Sequence, residues 1–445
     1  MVALLGVLCV FGLSFVISMF DARCRWFDAF HSRGQGSGTV YLLSQGVNTQ
    51  IPVSMGTPSS PFSRKVVDSV LDKMRNQQSG GLELLEQSSD HTRVEHSASS
   101  ATGARKEREG QTKGLVSRRT KSVPRKEWEV GTLIYKYDDC NSYHAIPKNH
   151  SEPVDDSHYN ITVVTVGSFN RLFEYSIFAS RWNGPIVFVT YLKEEEMSAF
   201  NDFLHNATST LLCSPRIQHV TYVALPGSFF HSNYPINILR NLGIRQVRTS
   251  HFLLLDMDMW LSDQSYEVLL ALPPVIWQDP KAAVVIPAWF HTGWTIANGT
   301  LPEQVNSVIH RIPFTIKDLK KCAKIHKCAP QKKNLFTHYY VPYHWRLDLM
   351  TSHFPAAYKY ACWKNIYQEP YLLVRRNDSI VHFHESFINY GFNKISYVES
   401  IRRHGYTFYL ASKMYAFDLP HLPSRFQKSH VQSTRSGNYV TNYYY

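Results

Sequence analysis

From residue 161 onward, runs suited to buried strands alternate with runs suited to helices, and this alternation restricts the fold more than any other feature of the chain. The segment ITVVTVGSF is a β-branched run of the kind buried on both faces of a sheet, and RLFEYSIFASRW after it reads as a helix. Asn183, Gly184 and Pro185 break that helix. IVFVTYL predicts a second strand and KEEEMSAFNDFLHNA a second helix, whose acidic first turn suits the positive end of the helix dipole. Further strands are predicted at HVTYVAL, HFLLLDMDMW and KAAVVIPAWF. This order builds an α/β fold with a mostly parallel central sheet and helices packed on its faces. Ligands of such sheets bind beyond the carboxyl ends of the strands, so the residues just after each strand carry the chemistry.

HFLLLDMDMWL is therefore the most informative segment. Phe252 to Leu255 form an apolar strand interior, and Asp256 and Asp258 follow at its carboxyl end. On extended backbone, residues two apart point to the same side, so both carboxylates can face one site. Two hard oxygen ligands suit Mn²⁺ or Mg²⁺, which would bridge a diphosphate and neutralise charge developing on it. The alternative is that one aspartate caps a turn while the other is solvated.

The flanks differ in kind. Met1 to Phe20 is an uncharged apolar run about as long as a bilayer-spanning helix needs, and residues 1–22 are expected to be a transmembrane signal anchor. A cleaved signal peptide is the competing reading. Arg23 and Arg25 follow the run, so charge alone does not place the bulk of the chain in a lumen. Five Asn-x-Ser/Thr triplets, at Asn149, Asn160, Asn206, Asn298 and Asn377, favour a luminal, glycosylated chain. Residues 23–130 are expected to be a largely disordered stem, residues 131–427 the folded domain, and residues 428–445 a tail. The basic stretch Arg105 to Lys126 contributes much of the net charge of +12. It reads as a solvated linker, because no zinc-finger spacing or aromatic-basic RNA-binding pattern accompanies it, and no nucleic-acid partner is expected. Cys322 and Cys328 in KCAKIHKC could join His326 in a metal knuckle, but no second Cys/His pair completes one, so a disulfide is expected there.

Several blocks in order resemble glycosyltransferase family 49, the LARGE-type and β-1,4-glucuronyltransferase-like enzymes. NITVVTVGSFNRLFEYSIFASRWNGPIVFVTYL is similar to the opening strand, helix and turn of that family, and YPINILRNLGIRQVRTSHFLLLDMDMW to its Leu-Arg-Asn helix and Asp-x-Asp strand. VVIPAWF, QEPYLLVRR, FHESFINYGFNKISYVESIRRHGYTFYLA and LPHLPS resemble later blocks, so the likeness runs over about residues 158 to 424. It implies a GT-A type nucleotide-diphospho-sugar transferase fold, a UDP-sugar donor, Mn²⁺, and inverting transfer, with glucuronic acid the best-known sugar. It further implies a glycan or glycoprotein acceptor and residence in the Golgi membrane as a single-pass type II protein.

The resemblance places Arg240 and Asn241 on the donor side, although Arg240 would serve equally as a helix residue in an ion pair. Inversion needs a base for the acceptor hydroxyl, and Glu369 in QEPY and Glu385 in FHESF are the two candidates. In Tyr390 to Lys394, Asn393 and Lys394 are placed to contact sugar or phosphate, or else the run is a turn opening the next helix. The family's third metal ligand is a histidine near the end of the domain. Here Asp418 stands at the matching position, with His421 three residues on, so both join Asp256 and Asp258 as expected metal ligands. His291 lies where the family tends to show an acidic residue nearby, and donor or acceptor preference is expected to differ. The replacement at Asp418 also admits a degenerate, sugar-binding or chaperone-like relative that keeps the fold and lacks transfer.

Overall fold

A computed structural model describes residues 131–421, apart from 209, 332–335, 361–366, 378 and 390. The expected anchor (1–22), stem (23–130) and tail (428–445) lie outside the described residues. Among the described residues no helix is long and apolar enough to cross a membrane.

The parallel strands fall where the alternation predicts. β3 (Ile161–Ser168), β4 (Ile186–Lys193), β5 (Ile217–Ala224) and β6 (His251–Asp256) run parallel in the order β6-β3-β4-β5. Their interiors are almost wholly buried, as a sheet covered on both faces requires. The expected first helix is divided: a 3₁₀ stretch, Phe169–Glu174, precedes the α-helix α1 (Tyr175–Ser180). KEEE likewise forms a 3₁₀ turn, in which the Glu196 carboxylate accepts the Lys193 backbone N–H at 2.9 Å, and α2 (Met197–Asn206) follows it. α3 (Ile236–Arg245) packs on β3 and β4 with Asn237 through Ile244 all buried.

The expectation of a mostly parallel sheet is corrected by the order of the ten-stranded sheet. Strands β1 (Thr132–Tyr137) and β2 (Tyr143–Ala145) extend it antiparallel beyond β5. On the other side, β12 (Tyr371–Arg375) lies antiparallel between β6 and β8 (Ala282–Ile286). Beyond β8 come β13 (Thr407–Ala411), parallel to it, and β11 (Ala357–Lys359), antiparallel. Four of the neighbouring pairs are thus parallel and the remainder antiparallel, which makes the sheet mixed.

KAAVVIPAWF is also two strands rather than one. Pro287 has no N–H to give to a ladder, and the chain leaves the large sheet there. β9 (Ala288–His291) continues in a smaller sheet with β7 (Met259–Leu261), β10 (Cys328–Ala329) and β14 (Ala416–Asp418), in the order β10-β9-β14-β7. Trp260 and Trp289 of this sheet are fully buried.

Cys322 and Cys328 form a disulfide, as expected, and His326 is not part of a metal knuckle. A second disulfide, Cys140–Cys213, ties the turn after β1 to the segment before β5 across 73 residues. Closing a loop of that length removes unfolded-state freedom equivalent to roughly 4 kcal/mol.

Candidate active site

Asp256 is the last residue of β6, and the chain turns through Met257 and Asp258 before β7 begins at Met259. The two aspartates therefore stand at the point where the chain leaves the large sheet for the small one. Asp258 is not on extended backbone, so the two carboxylates meet separate sets of partners.

Asp256 is held by cations. Lys394 Nζ donates to Oδ2 at 2.7 Å, Arg240 Nη2 to Oδ1 at 3.0 Å, and the Tyr371 hydroxyl to Oδ2 at 3.0 Å. Burial alone would raise this carboxyl, but Lys394 and Arg240 outweigh it and keep the group well below the usual carboxylate range. Arg240 is 4 % exposed, and its other Nη reaches Asn393 Oδ1 at 2.9 Å. Lys394 Nζ lies 4.6 Å from the centre of the Tyr371 ring and 4.0 Å from Glu369. Burial pushes Glu369 above the ordinary glutamate value, against the pull of Lys394. Asn393 and Lys394 open α4 (Asn393–Arg403), which follows two left-handed residues, Gly391 (φ 110°) and Phe392 (φ 52°). The run is a helix-opening turn, and it delivers Lys394 to Asp256. Tyr390 lies outside the described residues.

Asp258 has different company. His421 Nε2 is 3.1 Å from its Oδ2, and Arg171 Nη2 is 3.6 Å from the same oxygen. Burial again acts upwards, but the His421 contact and the Arg171 charge bring the Asp258 carboxyl below its ordinary value. Arg171 Nη1 donates to Glu174 Oε1 at 2.7 Å, and Glu174 has no solvent exposure. Asp418 ends β14 opposite Met259, the residue after Asp258. Its charge acts on the buried hydroxyls of Tyr340 and Tyr371, as does that of Asp256.

Two expected site residues stand elsewhere. Glu385 pairs with Lys148 at 3.2 Å and Arg245 at 3.7 Å and accepts from Asn241 Nδ2 at 3.2 Å, and none of these partners contacts Asp256. Asn241 clamps the backbone of Phe383, donating to its carbonyl at 2.8 Å and accepting from its N–H at 2.9 Å. Its buried amide is thus engaged in holding the 383–385 segment against α3. Arg171, Glu174 and Tyr371 were not anticipated. The first two were legible as an i,i+3 Arg/Glu pair just after the first strand of the alternation, and Tyr371 as part of QEPY.

Among the described residues no group of three or more His, Cys, Asp or Glu side chains is disposed to hold an ion as the side chains stand. The chemistry of the Asp258–His421 pair nevertheless fits one. A single ring nitrogen, His421 Nε2, faces both the Asp258 carboxylate and the Arg171 N–H, 3.3 Å away. With a proton it suits Asp258 and opposes Arg171, and with a lone pair it suits Arg171 and opposes Asp258. A divalent cation would take the carboxylate oxygen and the lone pair together. The charge balance agrees: Glu174, Asp256, Asp258 and Glu369 exceed Arg171, Arg240 and Lys394 by one, and Asp418 adds another carboxylate.

These elements define an α/β domain with a cation-lined acidic site at the end of a central parallel strand, the class to which sugar-nucleotide transferases belong. Residues 213–419, just under half of the chain, match the family model described as "Glycosyl-transferase for dystroglycan", so over that stretch the chain is similar to glycosyltransferase family 49. Over 277 residues it is 28 % identical to "Glycosyltransferase-like protein gnt14" of Dictyostelium discoideum, covering 60 % of this chain and 38 % of that protein. It is 24 % identical over 277 residues to "Xylosyl- and glucuronyltransferase LARGE1" of Danio rerio, covering 61 % and 32 %. The chain thus spans about a third of the length of these curated relatives. A structure of GalNAc-T7 with UDP, GalNAc and Mn²⁺ is a distant likeness at 12 % identity and TM-score 0.37, covering 67 % of this chain and 50 % of that one.

Proposed function

We propose that this chain is a metal-dependent, inverting glycosyltransferase of GT-A type that moves a sugar from a UDP-sugar to a glycan acceptor. The observation that carries the reading is the acidic pair Asp256 and Asp258 at the carboxyl end of β6, ringed by Arg240, Lys394, Arg171 and His421. Asp258 and His421 would hold a Mn²⁺ ion, with Asp256 and Asp418 on its flanks, and the bound ion would stabilise negative charge on the departing diphosphate. Lys394 and Arg240 keep Asp256 ionised and fix its orientation. Glu369 takes the proton from the acceptor hydroxyl. The freed oxygen bonds to the anomeric carbon as the bond from that carbon to the β-phosphate oxygen breaks, and UDP departs with the electron pair. Burial suits Glu369 to this role, since a raised pKa makes it the stronger base.

Two disulfides favour an oxidising compartment, and with the apolar Met1–Phe20 run they support a luminal domain behind a Golgi membrane anchor. Glucuronic acid is the first sugar to test, because of the family. The full chain, incubated with Mn²⁺, candidate glycan acceptors and a panel of UDP-sugars that includes UDP-glucuronic acid, is expected to release UDP from one of them. Asp258→Asn should reduce that release at least about a hundredfold. A panel that yields no turnover, or an Asp258→Asn protein within threefold of the unaltered one, overturns the reading.

A further inference from the structure

Arg171 is bound too firmly on one side and too loosely on the other to be explained as a structural ion pair. Its Nη1 is fixed by Glu174 at 2.7 Å, and Glu174 is sealed from solvent with its second oxygen, Oε2, lacking any hydrogen-bond partner. An unpaired buried carboxylate oxygen is costly, and an apolar residue would pack there without that cost. The other nitrogen, Nη2, reaches towards Asp258 at 3.6 Å and His421 at 3.3 Å, both longer than a good charge-assisted hydrogen bond. One of these contacts is also chemically incompatible with the 3.1 Å His421–Asp258 contact, because His421 Nε2 cannot donate to Asp258 and accept from Arg171 together.

We propose that Arg171 binds the distal (β) phosphate of the nucleotide donor. This rests on the UDP-sugar reading above and assigns a residue to it. Once Asp258 and His421 are engaged by a cation, Nη2 loses its anionic neighbour and faces the volume in which the leaving diphosphate must sit. Glu174 is the positioning residue: it anchors Nη1 and aims the free edge of the guanidinium. The planar fork of Arg171 suits two phosphate oxygens, so lysine is an incomplete replacement. Arg240 and Lys394 serve the Asp256 side of the same site, so Arg171 supplies the one cation on the Asp258 side among the described residues.

The test is nucleotide discrimination, read by calorimetry on the full chain in Mn²⁺ with UDP and UMP as probes. A lost charge-assisted hydrogen bond corresponds to roughly a tenfold to hundredfold loss of affinity. Arg171→Gln is expected to lose that much for UDP while its affinity for UMP, which lacks the distal phosphate, stays within about twofold. Arg171→Lys should fall between, and Glu174→Gln should weaken UDP several-fold with UMP unchanged. Equal losses for UDP and UMP in folded Arg171→Gln and Arg171→Lys would make Arg171 a structural residue and overturn the proposal, as would no loss for either. If the unaltered chain binds neither nucleotide, the donor reading itself fails, and the assignment falls with it. A chain that binds both nucleotides, with Arg171 variants that do not discriminate, sinks the assignment alone.

Discussion

Gly243 is the tightest point in the scaffold beneath the site, and replacing it by alanine tests the packing and the site together. The residue lies in α3 where the helix crosses β3 and β4. A Cβ there would stand 2.5 Å from a methyl of Val164 and 2.8 Å from a methyl of Val189, against the 3.5 to 4.0 Å of an ordinary carbon contact. Both valines are fully buried and β-branched, so neither can rotate aside cheaply. Alanine gains about 1 kcal/mol of helix propensity over glycine. Overpacking of this kind costs roughly 1 to 3 kcal/mol, and two simultaneous clashes of about 1 Å place it near the upper figure. The net result is a loss of about 1 to 2 kcal/mol, or roughly 2 to 4 °C in Tm for a domain of this size.

The displaced helix also carries Arg240, one turn earlier. Its contacts to Asp256 and Asn393, at 3.0 and 2.9 Å, stretch beyond hydrogen-bonding range if α3 lifts by half of the overlap. Gly243→Ala should therefore melt earlier and bind UDP several-fold more weakly. Thermal denaturation and calorimetry read the two effects. The double variant Val164→Ala/Gly243→Ala should lose less stability than the sum of its parts, because the smaller side chain makes room for the new methyl. A rise in Tm for Gly243→Ala would mean that propensity dominates, and would refute the close approach of α3 to the sheet.

The two glutamates expected as base should separate in assay: Glu369→Gln is expected to lower turnover by roughly a hundredfold or more, while Glu385→Gln stays within about threefold and loses stability instead. In the unaltered enzyme the acid limb of kcat/KM should fall at a pH above the ordinary glutamate value of 4.5, since burial raises Glu369 and the base must be ionised; a limb at or below 4.5 would exclude Glu369. Glu152, bonded by Lys136, Arg248 and His150, is held at about 2 against a free value of 4.5, although burial opposes the shift. Its stabilising contribution is therefore complete above pH 4.5 and is lost as the pH falls towards 2. That interval caps it at ~3 kcal/mol, and screening through the exposed Arg248 reduces it to about 1 to 2 kcal/mol. Denaturant unfolding at pH 7 and pH 3 should show a little over half of that difference, and Glu152→Gln should shrink it; an unchanged difference counts against the network.

The acidic pair was legible in the sequence because an apolar strand followed by two aspartates is a local pattern. Its partners were legible only in part. Arg240 stood out through the family blocks, but the cation that meets Asp256 most closely, Lys394, is 138 residues away. Only the packing of α4 brings it in. Glu369 and Glu385 could not be ranked, since their burial and ionic partners come from elements far along the chain. His421 and Asp418 were both expected beside the acidic pair; the former approaches Asp258, while the latter sits on the strand beside it. The family resemblance placed Asn241 on the donor side, and its amide is engaged with the Phe383 backbone.

The mixed sheet was the feature least visible in the sequence, and it is the one that assembles the site. Three segments leave the large sheet for the small one at one level: β6 into β7 through Met257 and Asp258, β8 into β9 at Pro287, and β13 into β14 through residues 412–415. Parallel strands alone would bring only their carboxyl ends there. β12 runs the other way, so its first residue, Tyr371, pairs with Ile286 at the end of β8 and lies at the level where Asp256 ends β6. The antiparallel insertion therefore delivers Glu369 and Tyr371 to the acidic pair from a segment more than a hundred residues downstream. A sheet with β12 in the parallel sense would place its carboxyl end, Arg375, at that level and carry Glu369 to the opposite edge. The direction of that one short strand decides which glutamate can serve the reaction.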